Sequence, residues 1–151
     1  MANVIPHSFR GALFSGNHDF ASGGNTFKLA LYTSSPYNTS STVYNATSEV
    51  GTSGTNYSTG GNTLTSQAVA SSTAVASVDF ADTEWTSATI TAAYGAIYNS
   101  TTVDGTANRL VVALDFGGSK TCTNGTFKIT FPDPSTPSNA ILSMALENKW
   151  L

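Results

Sequence analysis

The fold class is decided by residues 109–116, which read RLVVALDF. Apolar side chains stand at every second position, at Leu110, Val112, Leu114 and Phe116, with more polar residues at both ends of the run. An alternation with a period of two places these side chains on one face of an extended chain. The run therefore predicts a β-strand that packs one face against a core.

The same alternation recurs along the chain, whereas helical periodicity is nearly absent. Further strands are predicted at residues 26–33, 74–80, 88–98 and 126–131, and a weaker one at 140–145. In the run 88–98 the phase of the alternation changes near Gly95, which predicts a β-bulge there.

Turn-forming pairs separate the predicted strands. Asp104-Gly105 and Asn124-Gly125 supply the positive φ angles that tight hairpin turns require. The stretch 33–62 is poor in apolar residues, and we expect a long surface loop or a polar hairpin, anchored by its tyrosines. Many short strands with frequent turns predict a single all-β domain, a β-sandwich or jelly-roll-like fold.

The two ends of the chain carry large apolar residues without a strand pattern. We expect an extended N-terminal arm at residues 1–20, the β-domain at 21–145 and a C-terminal tail at 146–151. Such ends either pack on their own domain or dock on a neighbouring subunit. The second alternative gives a hypothetical interface with a neighbouring subunit, made of Val4, Ile5, Phe9, Arg10, Phe14, Trp150 and Leu151.

Composition argues against several classes of partner. Only 10% of the residues are charged, and the few basic ones are scattered, so no patch is expected that neutralises several phosphates of a nucleic acid. No stretch approaches the roughly 18 apolar residues of a membrane span. The first residues lack the pattern of a secretory signal. We expect assembly in a cytoplasm, without nucleic acid or membrane as partner.

The densest acidic group is Asp79, Asp82 and Glu84. Carboxylate oxygens suit calcium, and a carboxylate pair suits a glycosidase, but the spacing matches neither an EF-hand loop nor any feature that favours hydrolysis. We expect solvated carboxylates at a strand end and no metal site.

Nucleophilic catalysis has one candidate on paper, a dyad of Cys122 with His7 or His18. No local signature supports it, and no Gly-x-Ser-x-Gly elbow occurs. We expect no catalytic residue, no cofactor-binding residue and no cofactor, and therefore no enzyme.

Aromatic side chains offer a different kind of site, because their rings stack on the apolar faces of sugars. Strand packing is the competing explanation, since aromatic residues favour strands in any case. The candidate sugar-binding face is made of Tyr37, Tyr44, Tyr57, Tyr94, Tyr98 and Trp85.

Several stretches, in this order, resemble a pattern found in small virion proteins of tailed bacteriophages, over roughly residues 26–145. They are Phe27–Tyr32, Glu49-Val50, Gly54–Leu64, Asp79–Trp85, Ser87–Ile90 and Ala113–Gly117. The resemblance implies a capsid cement or decoration protein. Such proteins bind the outside of an icosahedral head and clamp neighbouring subunits of the major capsid protein, as jelly rolls or β-sandwiches assembled into dimers or trimers.

The resemblance transfers no catalytic residue. It implies a structural protein on the exterior of the capsid, made in the bacterial host cytoplasm, with the major capsid protein and further copies of itself as partners. A β-domain of a tail or fibre that binds a receptor or a carbohydrate is the alternative. Dimer and trimer both stay open.

Overall fold

The computed structural model describes residues 2–72, 75–132 and 140–145. Within these residues the chain forms one helix and seven strands. In chain order they are α1 (His7–Phe14), β1 (Phe27–Tyr32), β2 (Asn62–Thr63), β3 (Ala68–Ser71), β4 (Val75–Asp79), β5 (Thr83–Asn99), β6 (Arg109–Ile129) and β7 (Leu142–Ala145).

The strands form two antiparallel sheets. The first sheet has four strands in the order β2-β1-β5-β6, and the second has three in the order β3-β4-β7. β5 is the centre of the first sheet, because it pairs with β1 on one side and with the long β6 on the other. The prediction of an all-β domain is confirmed at this level.

The connection between β5 and β6 contains the predicted Asp104-Gly105 turn. Both residues have positive φ, 48° and 69°. Val103 and Thr106, on either side, exchange two backbone hydrogen bonds of 3.0 Å. A turn of this kind matches the twist of the strands that it joins.

The predicted turn at Asn124-Gly125 is wrong, because β6 runs without interruption from Arg109 to Ile129. Asn124 does have a positive φ of 47°, and Gly125 pairs with Ala88. The ladder between β5 and β6 shifts register here and continues on both sides. Asn124, with its positive φ, therefore belongs to a bulge within one strand. The predicted strand 109–116 and residues 126–129 of the predicted strand 126–131 are two parts of β6.

The predicted irregularity near Gly95 lies just before that residue. Ala92 pairs with Lys120 and Tyr94 with Asp115, so β6 inserts extra residues between these two rungs. Gly95 itself stays in the ladder. A β-carbon at this position would lie 3.0 Å from the ring of Phe116.

β1 is buried on both faces. Phe27, Leu29 and Leu31 belong to the larger apolar core. Ala30 and Tyr32, on the other face, belong to a second cluster, and both are fully buried. A central strand covered on both sides explains why the run around it is almost continuously apolar.

The polar stretch 33–61 contains no helix or strand and covers the second cluster. Its tyrosines anchor it, as predicted. The hydroxyls of Tyr32 and Tyr37 are hydrogen-bonded to each other over 2.7 Å, and the carbonyl oxygen of Asn45 lies 3.0 and 3.2 Å from them. The loop is thus fixed by buried hydroxyls rather than by a continuous strand ladder.

The outer edge of β6 is partly covered by the same chain. Val4 and Ala113 exchange backbone hydrogen bonds of 2.8 and 2.9 Å. Further along the strand, Leu110 donates to the carbonyl of Thr42 over 3.0 Å. Unpaired strand edges invite edge-to-edge association, so this cover limits it.

The expectation of an extended arm at residues 1–20 is wrong for the described residues 2–20. Helix α1 begins after Pro6 and buries Phe9, which packs edge-on to Phe20. Phe20 in turn stacks on Phe27 with ring centroids 4.4 Å apart. Burial of a phenylalanine contributes about 1.5–3 kcal/mol, which favours the packed segment over a free one.

Candidate interaction surface

Two of the predicted interface residues face the domain itself. Phe9 is 4% exposed and belongs to the larger core, so its assignment to an interface is corrected. Val4 is half-buried, packs against the second cluster and pairs with Ala113.

Three others face outward. Phe14, the last residue of α1, is 83% exposed, and Ile5 is 40% exposed. Arg10 is exposed, and its guanidinium contacts Nδ1 of His7. Arg10 and Phe14 stand four residues apart in α1, so their side chains lie on the same face of the helix. Trp150 and Leu151 lie outside the described residues.

Beside α1 lies a cavity of about 550 Å³ that opens between the helix and the second sheet. We call it the α1 groove. Its helix side is formed by Ile5, Phe9, Arg10 and Leu13, and its sheet side by β3, β4 and β7. This volume lies within the range of ligand-binding clefts.

The sheet side of the groove is one face of the second sheet. The register places Val69 opposite Val78, Val78 opposite Leu142, and Ala76 opposite Met144. Towards the core this face is covered, and Leu142 is 8% exposed. Away from the core it is open, with Val69 57% and Met144 50% exposed.

Charge in the groove is sparse and balanced. Among the described residues that line it, Arg10 and Asp19 are the two that carry charge at neutral pH. His18 also contributes to the wall, and its Nδ1 accepts a hydrogen bond of 3.0 Å from the side-chain amide of Asn99. Burial, with a smaller effect of the charge of Arg109, lowers the pKa of His18 to about 4, so the ring is neutral at pH 7.

The groove and its rim form an apolar surface with one positive and one negative group. Exposed apolar side chains that cluster in this way are typical of protein contacts, and scattered ones are not. Ile5, Val69 and Met144 are exposed residues of the groove lining, and the exposed Phe14 follows the lining residue Leu13 at the end of α1. We call the groove together with these four residues the α1 surface.

One member of the acidic group of the sequence, Asp82, forms an ion pair. A carboxylate oxygen of Asp82 lies 2.9 Å from Nζ of Lys128, and the other accepts a hydrogen bond of 3.0 Å from the backbone of Phe131. The hydrogen bond from Lys128 and then that from Phe131 lower the pKa of Asp82. In the described ranges, no three acidic, histidine or cysteine residues gather as metal ligands would.

Cys122 and the histidines have separate surroundings. Cys122 lies half-buried on β6, and its thiol donates to the carbonyl of Ala88 over 3.2 Å. His18 packs against Phe9, with ring centroids 5.0 Å apart, and His7 contacts Arg10. The hydrogen bonds described for these residues do not assemble the Cys–His dyad that the sequence allowed on paper.

The candidate sugar-binding face is not formed, because most of its rings are inside the domain. Tyr37, Tyr57, Tyr98 and Trp85 are each at most 5% exposed. A ring needs an open face to stack on a sugar, so this assignment is corrected in favour of strand packing.

Sequence reasoning missed the contribution of the second sheet to the α1 surface. β3 has the short sequence AVAS, in which only Val69 is a large apolar residue. Met144 belongs to the weaker strand prediction at 140–145, which the structure confirms as β7. The pairing that brings these residues beside α1 is long-range, and no local pattern signals it.

No described helix has the length and apolar character needed to cross a membrane. Comparison with protein families, with curated proteins and with solved structures gave no match for this chain.

Proposed function

We propose that this chain is a virion structural protein of a tailed bacteriophage, a capsid cement or decoration protein. It binds the outside of the head and clamps neighbouring subunits of the major capsid protein. The two antiparallel sheets form a β-sandwich of the jelly-roll kind in this proposal. Its partners are the major capsid protein and further copies of itself, and it assembles in the bacterial cytoplasm.

The observation that carries the proposal is the α1 surface. Ile5, Phe14, Val69 and Met144 are between 40% and 83% exposed, on a protein in which 10% of the residues are charged. Exposing large apolar side chains in one region costs solubility, so such a region is normally covered by another protein.

The rest of the domain suits a rigid clamp. Val4 and Thr42 cover the β6 edge at Ala113 and Leu110, which blocks strand pairing with another chain at these positions. The loop 33–61 is fixed by buried tyrosine hydroxyls, so little ordering is required when the protein binds. Preorganisation of this kind reduces the entropic cost of association.

The scarcity of charge has a consequence for binding. Contacts made by apolar and hydroxyl groups contain few ion pairs that salt can screen. Each contact contributes little, and a clamp that is repeated in many copies over a head gains from multivalency. The proposal requires no catalytic residue, metal or cofactor.

Electron cryo-microscopy of particles from cells that carry the parent genome tests the proposal. Density for this chain that bridges capsomers on the outside of the head is the expected result. Density at the tail tip would favour the alternative, a receptor- or carbohydrate-binding domain of the tail. Particles without the chain would overturn both virion roles.

A binding assay with purified heads tests which surface is used. Heads that lack the protein are mixed with wild-type chain, with Ile5→Ser/Val69→Ser, or with the control Val43→Ser, whose parent residue is also an exposed valine, 38% exposed, but does not line the groove. We expect about tenfold weaker binding for the double variant and little change for the control. Equal binding of all three would show that the α1 surface contributes to attachment neither by contacting the head nor by joining copies of the chain.

A further inference from the structure

We infer that the α1 surface is a twofold interface between copies of this chain, in which Phe14 of each copy enters the α1 groove of the other. The inference deepens the self-association in the proposed function and rests on that part of it alone. It does not depend on attachment to a head.

The first observation is a projecting side chain next to a cavity. Phe14 is 83% exposed at the end of α1, and α1 is itself one wall of the groove. Its neighbour Leu13 points into the wall, while Phe14 continues the face that carries Arg10. Helix α1 therefore provides both an exposed aromatic side chain at its end and one wall of an apolar cavity.

The second observation is self-complementary charge. Arg10 and Asp19 are the charged residues among the described lining of the groove, and they have opposite signs. A twofold axis brings a given residue of one copy to the other members of the same patch on its partner. Arg10 of each copy can thus lie against Asp19 of the other, and no like charges have to meet.

The third observation is the exposure of two apolar side chains at the rim of the groove. Val69 and Met144 are at least half exposed on the open side of the second sheet, across the groove from α1. An aromatic ring in the groove covers these side chains as well as the groove walls. A buried aromatic anchor in an apolar pocket with a polar rim is the usual centre of a stable protein contact.

A second copy fits this surface better than an unrelated partner does. An isologous contact needs projection and cavity, positive and negative group, all within one patch. The groove supplies the cavity and the two charges, Arg10 and Asp19, and Phe14 supplies the projection one residue after the lining residue Leu13. A charged partner of a different kind would meet both signs at once and gain from only one of them.

The test uses two variants that disable opposite halves of the contact. Phe14→Ser removes the projection and leaves the groove intact. Ala76→Arg places a long side chain in the groove, at an exposed position of β4, and leaves Phe14 intact. Val43→Ser is the control, because Val43 is an exposed apolar residue that does not line the groove.

Sedimentation equilibrium of the purified full chain gives the dissociation constant of each variant. We expect the wild-type chain to be dimeric at about 100 μM. The dissociation constants of Phe14→Ser and of Ala76→Arg should each be about 100-fold higher than that of the wild type. Val43→Ser should match the wild type. Circular dichroism of each variant verifies that the β-fold is retained.

Mixing the two defective variants gives the sharper result. Phe14→Ser still has a groove and Ala76→Arg still has the projection, so a mixed dimer recovers one of the two engagements. We expect a mixed dimer to form at concentrations at which each variant alone is monomeric. A mixture that stays monomeric would overturn the reciprocal geometry.

Other outcomes also decide the matter. A wild-type chain that is monomeric at about 100 μM, or that forms a trimer, would overturn the twofold interface. A dimer that neither substitution weakens would place the contact elsewhere. Head binding is measured separately, so a failed dimer and a failed capsid role remain distinguishable.

Discussion

The hydroxyl of Tyr57 donates a hydrogen bond of 2.6 Å to Oε1 of Glu49, and the same oxygen accepts a second one, also 2.6 Å, from the backbone of Gly60. The other carboxylate oxygen accepts from the hydroxyl of Tyr44. The oxygen of Tyr57 accepts in turn from the backbone of Leu31 over 3.0 Å. Burial and the neighbouring carboxylate raise the pKa of Tyr57, so it remains a donor at any ordinary pH. One side chain therefore connects the loop 33–61 to β1.

The first prediction concerns this carboxylate. Glu49→Ala removes the acceptor of three hydrogen bonds and leaves part-buried donors unpaired. We expect the free energy of unfolding to fall by about 3 kcal/mol. Urea denaturation measures it, with the exposed Glu84→Ala as control, which should change stability by less than about 0.5 kcal/mol. Equal stability of the two variants would show that the carboxylate does not hold the loop.

The second prediction is a pH dependence that originates at His18. Its pKa is about 4 in the folded chain and close to the ordinary 6.5 when unfolded, so the unfolded state binds the proton first. Stability is then complete above about pH 6.5 and falls as the pH drops towards 4, by up to about 3 kcal/mol.

Denaturation midpoints measured between these two pH values check the His18 prediction. The ordinary pKa values of Asp and Glu lie at the lower end of this pH interval, so these groups contribute little to the change over most of it. His18→Gln cannot titrate, and its stability should vary much less over the same interval. A variant with the same slope as the wild type would assign the pH dependence to another group.

The third prediction compares two glycines with nearly the same backbone. Gly61 and Gly105 have φ of 72° and 69°. A β-carbon on Gly61 would lie 1.8 Å from the carbonyl oxygen of Leu29, while nothing lies within 4 Å of one on Gly105.

For Gly105→Ala we expect a loss of about 1 kcal/mol, because only the backbone strain is felt. Gly61→Ala adds a collision with the backbone of β1, and we expect a loss of about 4 kcal/mol or a failure to fold. Urea denaturation of both proteins measures the difference. Similar losses at the two positions would mean that the backbone of β1 and the segment before β2 can move apart with little loss of stability.

The fourth prediction separates two phenylalanines of α1. Phe9 is 4% exposed and packs on His18 and Phe20, whereas Phe14 is 83% exposed. Phe9→Ala should lower the free energy of unfolding by about 3–5 kcal/mol. Phe14→Ala should change it by less than about 0.5 kcal/mol when unfolding is measured at a concentration at which the chain is monomeric. A large loss at Phe14 under those conditions would contradict its exposed position.

Strand prediction succeeded where the alternation was regular. β1, β4 and β7 each begin and end within two residues of a predicted run. β5 ends close to the end of its predicted run but begins earlier, at Thr83. The error at Asn124-Gly125 has a specific cause, since a positive φ serves a hairpin turn and a bulge equally well. Whether the ladder continues past such a residue depends on the partner strand.

Helix α1 was missed because eight residues provide about two turns, too few for a periodic signal. Of its residues, Phe9 and Ala12 are buried. The segment is helical because its aromatic side chain finds a place against Phe20, a contact that no local pattern contains.

The candidate site shows the same division. Ile5 and Phe14 were identified from apolar character outside a strand pattern, and the structure places both of them, and Arg10, at the surface. Phe9 was grouped with them for the same reason and is a core residue. Hydrophobicity alone does not tell a side chain that packs inward from one that is left exposed.

By itself, the sequence determined the β-rich class, the low charge and the position of most strands, because the alternation of side chains and the φ preference of turn residues are local properties. Only the tertiary structure decided that β6 is one strand, that residues 2–20 pack on the domain and that α1 and the second sheet enclose a groove. These features depend on which distant surfaces meet. Burial of apolar area stabilises contacts between segments that are far apart in the chain, and no single stretch of sequence contains the information on which segments meet.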